Sequence, residues 1–401
     1  MNNYHFKRIF IIVADSMGAG YMEDAKDYGD EGANTLLHLS EKMPNGLNVP
    51  TLNKLGLGDL DPIKGTSKVK HPFSFILKAN AVSKGKDTMT GHWEMMGIHT
   101  KNPFKTFTDT GFPKKLIKQL EQKTGYKIIG NKAASGTDIL VELGEQQVRD
   151  NCLIVYTSSD SVLQIAAHEE VTGLKELYRV CAIAREICMK PEWKVGRVIA
   201  RPFIGTNKDN FKRVTGHRLD LALKPDSPTV LNVLQDHGFM TSGIGKIGDI
   251  FGQYGLVQSQ TTVSNEDGMD KTIQEITKHD FTGLCFINLV EFDSEYGHRR
   301  DAIGYGRCIE RFDLRVAQLL PLLKDDDLLI ITADHGNDPT WVGSDHTREK
   351  IPIIIYNTNF SNGSCLAERK SFADLGATVL KNFNLEKPNH LLGLPIEEIF
   401  N

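Results

Sequence analysis

Asp15, Asp293 with His298, Asp334 with His335, and Asp345 with His346 form a dispersed set of carboxylates and imidazoles in a chain of 401 residues. Carboxylate oxygens mixed with imidazole nitrogens suit Mn2+ or Zn2+, whereas an all-oxygen set would suit Mg2+ or Ca2+ and thiolates would suit structural zinc. Taken one at a time, these residues have ordinary explanations. An Asp after a strand caps the turn that follows, and a single His is most often a hydrogen-bonded structural residue. Joint occurrence changes the balance: three apolar runs end in Asp, and two of those Asp residues are followed within five residues by His. A cap does not require an imidazole. Asp15, Asp293, His298, Asp334, His335 and His346 are enough donors for two ions.

A second group is Gly85-Lys86-Asp87-Thr88-Met89-Thr90-Gly91-His92-Trp93-Glu94, a small polar turn running into a helix start. Thr88 is a nucleophile candidate, because two metal ions can lower the pKa of a bound hydroxyl and hold the alkoxide. The plain alternative is a turn with a threonine N-cap, and spacing alone does not choose between Thr88 and Thr90. Basic residues make a third group: Arg197, Arg201, Arg213 and Lys246. Arg forks match phosphate oxygens bidentately, and Lys serves as a point charge. Isolated basic residues are usually solvated surface, but Arg201 follows the apolar Val198-Ile199-Ala200 and Lys246 ends the Gly-rich Gly243-Ile244-Gly245. Asp160 follows Leu153-Ile154-Val155-Tyr156-Thr157-Ser158-Ser159 and either bonds sugar hydroxyls or ends its strand.

Positioning these groups requires elements that deliver carboxylates to one place. The runs Arg8 to Asp15, Gly283 to Asp293 and Asp327 to Asp334 have the unbroken apolar character of buried parallel strands. Helical patterns lie between them at Asn34 to Met43, Ser227 to Asp236, Met269 to Lys278 and Ala302 to Lys324. Alternating strands and helices imply an α/β fold with a sheet covered on both faces, whose ligands sit beyond the carboxyl ends of the strands. The middle of the chain reads differently, with helices at Pro113 to Lys123, Ile139 to Val148 and Leu174 to Lys190 between short strand-like pieces. Residues 101–219 are therefore expected to form an inserted, smaller α+β cap domain, and 1–100 with 220–401 a discontinuous catalytic core.

The length exceeds the ~250 to 300 residues that one hydrophobic core usually serves, consistent with two domains. A composition 40% hydrophobic and 24% charged is that of a stably folded soluble protein. The net charge of −4 gives no global attraction to nucleic acid or to an anionic membrane. No apolar run is long enough to span a bilayer, and Met1 to Phe10 enters a strand pattern rather than a signal peptide, so a cytoplasmic location is expected. The six cysteines lack CxxC spacing and are expected to be reduced core thiols.

With these residues in view, the chain resembles the alkaline phosphatase superfamily, and within it the prokaryotic phosphopentomutase family. The resemblance runs from RIFIIVADSMGAG through GKDTMTGHWEMMG, IGNKAASGT, VYTSSDSVLQIAAHEE, VGRVIARPF, DGMDKT, GHRRD and ITADHGNDP to SDHTRE. It implies an alkaline-phosphatase-like core with a mixed, mostly parallel sheet flanked by helices. It further implies one manganese ion on Asp15, Asp334 and His335 and a second on Asp293, His298 and His346, with Thr88 phosphorylated between them. Asp160, Arg197, Arg201 and Lys246 fall in stretches that face the sugar phosphate in the family. Its members interconvert the 1- and 5-phosphates of ribose and deoxyribose, with a sugar bisphosphate, ribose 1,5-bisphosphate or glucose 1,6-bisphosphate, as activator. Small-molecule pentose phosphates are then the expected partners of a monomer. The chain departs from the family pattern at Glu291 and at Glu295-Tyr296, neither of which replaces a ligand.

Overall fold

The computed structural model describes residues 4–158 and 161–400. Packing divides the chain into two compact units, Met1–Pro103 with Lys224–Asn401, and Phe104–Leu223. The borders fall a few residues beyond those read from the sequence. The strand Leu219–Ala222 is the cause on one side: it pairs with Arg197–Ile204 and so belongs to the insert.

The larger unit is built on a seven-stranded sheet in the order Gln258–Gln260, Met240–Ile244, Gly283–Leu289, Arg8–Ala14, Asp327–Thr332, Ile351–Tyr356, Ser74–Ala79. The first five strands run parallel, and the last two pairings are antiparallel. Every residue of Arg8–Ala14, Gly283–Leu289 and Asp327–Thr332 is buried. Helices on both faces of a parallel sheet require that continuous apolar run, and each fully buried Ile or Phe contributes ~1.5–3 kcal/mol through area removed from water. Because the three strands are neighbours and parallel, their carboxyl ends converge at one edge of the sheet. Asp15 stands one residue past its strand, and Asp334 and Asp293 follow theirs closely.

Helices start where side chains satisfy their free N–H groups. Asn34 accepts from Leu37 N (3.1 Å), Asp301 from Gly304 N (2.8 Å) and Asp87 from Thr90 N (3.0 Å). The helix expected to begin at Met269 starts at Asn265, capped by Ser264. The one expected to reach Lys324 stops at Leu319 and tightens into the 3-10 turn Leu320–Leu322, because Pro321 has no N–H to continue the ladder. No helix among the described residues is long and apolar enough to cross a membrane.

The smaller unit has a six-stranded mixed sheet. Alternation along Leu153–Thr157 sends Leu153 and Val155 into one core, with the helices Lys114–Thr124 and Leu174–Ile187, and Ile154 and Tyr156 into a second, with Asp138–Asp150. Arg197 and Arg201, four residues apart on Arg197–Ile204, share one face of this sheet.

Candidate active site

Thr88 opens the helix Thr88–Met95 as its first residue, and the cap is Asp87 rather than a threonine. Thr90 is consumed by that cap: its hydroxyl donates to Asp87 Oδ2 at 2.7 Å and the residue is buried. Thr88 is only half-buried, with Oγ1 3.2 Å from His335 Nε2. The helix gets this close because residue 91 is glycine; a Cβ there would lie 2.1 Å from the Asp334 carbonyl oxygen.

His335 Nε2 is a meeting point. Besides Thr88 Oγ1, it lies 3.4 Å from Asp15 Oδ1 and 3.4 Å from Asp334 Oδ2. Its other nitrogen, Nδ1, donates to the Gly336 carbonyl at 3.0 Å, which leaves Nε2 to face the carboxylates. Asp334 is oriented by Ser16 N, which donates to Oδ1 at 3.0 Å; Ser16 holds a left-handed φ of 71° to do so and gives or takes a hydrogen bond with Tyr305 Oη at 2.9 Å.

A second cluster abuts the first. Asp293 sits in a single π-helical turn, Phe292–Gly297, whose bond from His298 N to the Asp293 carbonyl (3.0 Å) puts both side chains on one side. His298 Nε2 is 3.1 Å from Asp293 Oδ2 and 3.1 Å from His346 Nε2, and His346 Nε2 is 3.4 Å from Asp293 Oδ1. His298 Nδ1 donates to the Ser344 carbonyl at 2.9 Å, again turning Nε2 toward the cluster. Asp345, the remaining acid of the original pattern, faces elsewhere: its Oδ2 pairs with Lys86 Nζ at 3.1 Å.

Electrostatics and unmet bonding both point to cations. Burial opposes charge on Asp293, yet His298 and His346 hold its carboxyl well below the usual carboxylate range. Burial also opposes a charged His335, but Asp334 and Asp15 raise it well above the usual imidazole value. A proton is thus drawn to a place where negative charge is concentrated. Asp15 Oδ1 and Asp334 Oδ2 are buried and accept no hydrogen bond, an arrangement that costs ~1–3 kcal/mol or more per group if nothing completes it. Two sets of donors, Asp15 with Asp334 and His335, and Asp293 with His335 and His346, have ligand atoms within 4.8 Å of one another. Oxygen and imidazole donors, Nε2 atoms turned toward the carboxylates and orphaned carboxylate oxygens fit divalent metal ions.

The remaining candidates are carried by other elements. Lys246 follows Met240–Ile244 and caps the short helix Ile247–Ile250, at the same carboxyl edge of the large sheet. Arg197 and Arg201 belong to the smaller unit, where Arg197 Nη1 is 3.5 Å from Asp220 Oδ2 and Arg201 Nε donates to Gln164 Oε1 at 3.0 Å. Burial, with Arg218 close by, pulls the Arg201 guanidinium down to about 10, and the buried Tyr156 hydroxyl has no hydrogen-bond partner. Asp160 lies outside the described residues.

Four contributors have partners that the sequence does not assign. Asn288 Nδ2 donates to Asp15 Oδ2 at 3.0 Å, and Asn337 Nδ2 to Asp293 Oδ1 at 2.7 Å. Arg300 binds Asn337 Oδ1 (2.8 Å) and the carbonyls of Asp338 (3.0 Å) and Asp345 (3.1 Å), tying the loop that carries His346. The fourth, His92, is fully buried beneath Thr88 and Asp334. Arg300 and His92 lie inside recognisable motifs, but nothing in spacing assigns them a partner.

Glu291, one of the departures from the family pattern, accepts from Asn265 N at 2.7 Å and displaces no ligand.

The family model of the metalloenzyme superfamily matches residues 7–387. A phosphopentomutase of Clostridium beijerinckii is 52% identical over 388 residues, covering 97% of this chain and 97% of that relative. A phosphopentomutase of Clostridium tetani is 51% identical over 395 residues, covering 98% of each. Among solved structures, a protein in the alkaline phosphatase superfamily from Vibrio parahaemolyticus aligns over 98% of this chain and 70% of its own with 12% identity and a TM-score of 0.44. The larger unit has the α/β character and the mixed, mostly parallel sheet expected from the sequence. On the strength of relatives matching it from end to end, the chain belongs to the phosphopentomutase family of isomerase-class enzymes, within the metalloenzyme superfamily.

Proposed function

We propose that this chain interconverts ribose 1-phosphate and ribose 5-phosphate, and the corresponding 2-deoxyribose pair, through a phosphothreonine at Thr88 and a sugar 1,5-bisphosphate. The observation that carries the proposal is the 3.2 Å approach of Thr88 Oγ1 to His335 Nε2, because His335 belongs to both candidate ligand groups. Asp15, Asp334 and His335 would hold one manganese ion, and Asp293, His298 and His346 the other. When bound, such ions supply positive charge that neutralises phosphoryl oxygens and favours the ionised Thr88 oxygen.

Thr88 carries the phosphoryl group between turnovers, and the positive end of the helix Thr88–Met95 faces it. The free hydroxyl oxygen of a bound pentose phosphate bonds to phosphorus as the bond to Thr88 Oγ1 breaks, and the proton that this hydroxyl loses is balanced by the one that the departing Thr88 oxygen takes up. The resulting bisphosphate reorients, and Thr88 Oγ1 takes back the other phosphoryl group, releasing the isomer. Arg197, Arg201 and Lys246 are the candidates for binding phosphate oxygens, and Asp160 for accepting hydrogen bonds from sugar hydroxyls. A sugar bisphosphate, ribose 1,5-bisphosphate or glucose 1,6-bisphosphate, loads Thr88 at the outset.

Incubation with ribose 5-phosphate, Mn2+ and a trace of glucose 1,6-bisphosphate tests the proposal. Ribose 1-phosphate without release of inorganic phosphate is the expected result. Free phosphate as the main product would replace the mutase with a hydrolase of the same superfamily. Intact mass after glucose 1,6-bisphosphate should rise by one phosphoryl group in the wild type and not in Thr88→Ala; a gain in both would move the nucleophile to Thr90.

A further inference from the structure

His92 lies one helical turn after Thr88, is 0% exposed, and packs against Phe286 with ring centroids 5.4 Å apart. A histidine so placed is ordinarily a core residue that needs one hydrogen bond to tolerate burial. Its surroundings exceed that need. Nδ1 lies 2.9 Å from the Thr88 carbonyl oxygen and 3.2 Å from Asp334 Oδ2, so both atoms facing it are acceptors and the ring proton belongs on Nδ1. Nε2 lies 3.4 Å from Asn288 Nδ2, which can only donate. The same amide nitrogen gives its other hydrogen to Asp15 Oδ2 at 3.0 Å. Each of these hydrogens then has a partner in a single tautomer, and of these atoms Asp334 Oδ2 alone is left without a hydrogen bond.

We propose that His92, locked by Asn288 as the Nδ1–H tautomer, is a positioning residue that sets the first turn of the Thr88 helix against the ligand carboxylates Asp334 and Asp15. One ring and one amide link three parts of the site that come from distant points in the chain. Two close approaches of backbone hold the arrangement. Gly91 permits the helix to reach the Asp334 carbonyl, and Gly245, at φ +82°, permits its turn to reach the Asn288 carbonyl, where a Cβ would lie 2.2 Å away. Burial of the ring holds it in the orientation that leaves Asp334 Oδ2 beside it without a full hydrogen bond, and so open to a cation. The inference rests on the ligand set of the proposed function and adds to it how the nucleophile is held in register with that set.

Its test reads metal binding and ring protonation rather than turnover. Mn2+ titration of the unphosphorylated chain by calorimetry is expected to give a Kd ~10–100-fold weaker in His92→Phe, the range found when groups that orient metal ligands are removed. His92→Asn, whose amide can place a donor near the Nδ1 position, should recover to within about threefold, with urea midpoints of both variants near wild type. In 15N-histidine spectra of the wild type, the signal lost in His92→Asn should be that of a ring protonated at Nδ1 only. A His92→Phe chain that binds Mn2+ like wild type, an Asn variant no better than Phe or unable to fold, or a signal protonated at Nε2 would each overturn the proposal. A wild type that binds Mn2+ as expected yet never acquires phosphate would instead refute the phosphothreonine and leave the role of His92 in metal binding standing. If His92→Phe does not fold, the wild-type nitrogen spectrum and the Asn titration decide.

Discussion

The two candidate metal clusters touch, but they are held in different ways. Asp15, Asp334 and His335 sit at the ends of adjacent buried strands and are only 0%, 1% and 3% exposed. Their orientation comes from short, buried contacts: Ser16 N and His92 beside Asp334, and Asn288 on Asp15. Asp293, His298 and His346 ride instead on a π turn and a loop, with the His298 side chain 18% exposed. Arg300 and Asn337 gather that second set from outside. The strand-held cluster is fixed by the sheet that carries it; the loop-held cluster depends on a guanidinium that binds the carbonyls of Asp338 and Asp345. If the proposed pair of ions is held this way, the two would differ in affinity and in exchange rate.

Removing a ligand from the strand-held cluster should have the largest effect. Asp334→Asn is expected to cost on the order of 10³-fold in kcat and to leave one ion per chain, measured by steady-state kinetics and elemental analysis. Next comes Glu349, whose buried carboxylate accepts from Thr35 N (2.8 Å), Thr35 Oγ1 (2.7 Å) and Thr347 Oγ1 (2.6 Å). Burial raises it from the ordinary 4.5 to about 7. A carboxyl raised on folding binds its proton more tightly in the native state. Its contribution is therefore complete below 4.5 and is lost as pH rises to and through about 7, a change of about 3 kcal/mol. Urea unfolding in chelator at pH 5 and pH 8 should show that loss in wild type and a flatter dependence in Glu349→Gln; equal slopes would remove Glu349 from the account.

Arg300→Lys sharpens the comparison directly, since lysine cannot bridge several carbonyls at once. Weakening by ~10–100-fold is expected at one Mn2+ site with the other unchanged, read from a two-site titration; equal weakening of both would mean that the clusters are not held separately. The smallest effect is expected from Asp301→Ala. It removes the N-cap of Ala302–Leu319 beside the His298 loop, costing about 1 kcal/mol in urea unfolding with little change in the strand-held site.

Much of this was legible in the residues, and for physical reasons. Parallel strands buried on both faces must be apolar throughout, so Arg8 to Asp15 and Asp327 to Asp334 announce both the sheet and the place where their acids emerge. The groups that orient the ligands were not legible. Asn288 is one polar residue within an apolar strand, and only the fold reveals that it meets Asp15. Arg300 adopts a left-handed φ of 58° that no periodicity records. The short strand Leu219–Ala222 has too little pattern to separate it from a loop, and the polar first turn Asn265 to Gly268 hid the start of its helix. Which of the two hydroxyls, Thr88 or Thr90, the Asp87 cap engages was likewise not legible from spacing.

The most direct measurement is anomalous diffraction from crystals grown in Mn2+. Two peaks are predicted, one among Asp15, Asp334 and His335 and one among Asp293, His298 and His346, both within reach of Thr88 Oγ1. A single peak, or ions bound away from Asp293 and His346, would contradict the dinuclear site on which the account depends.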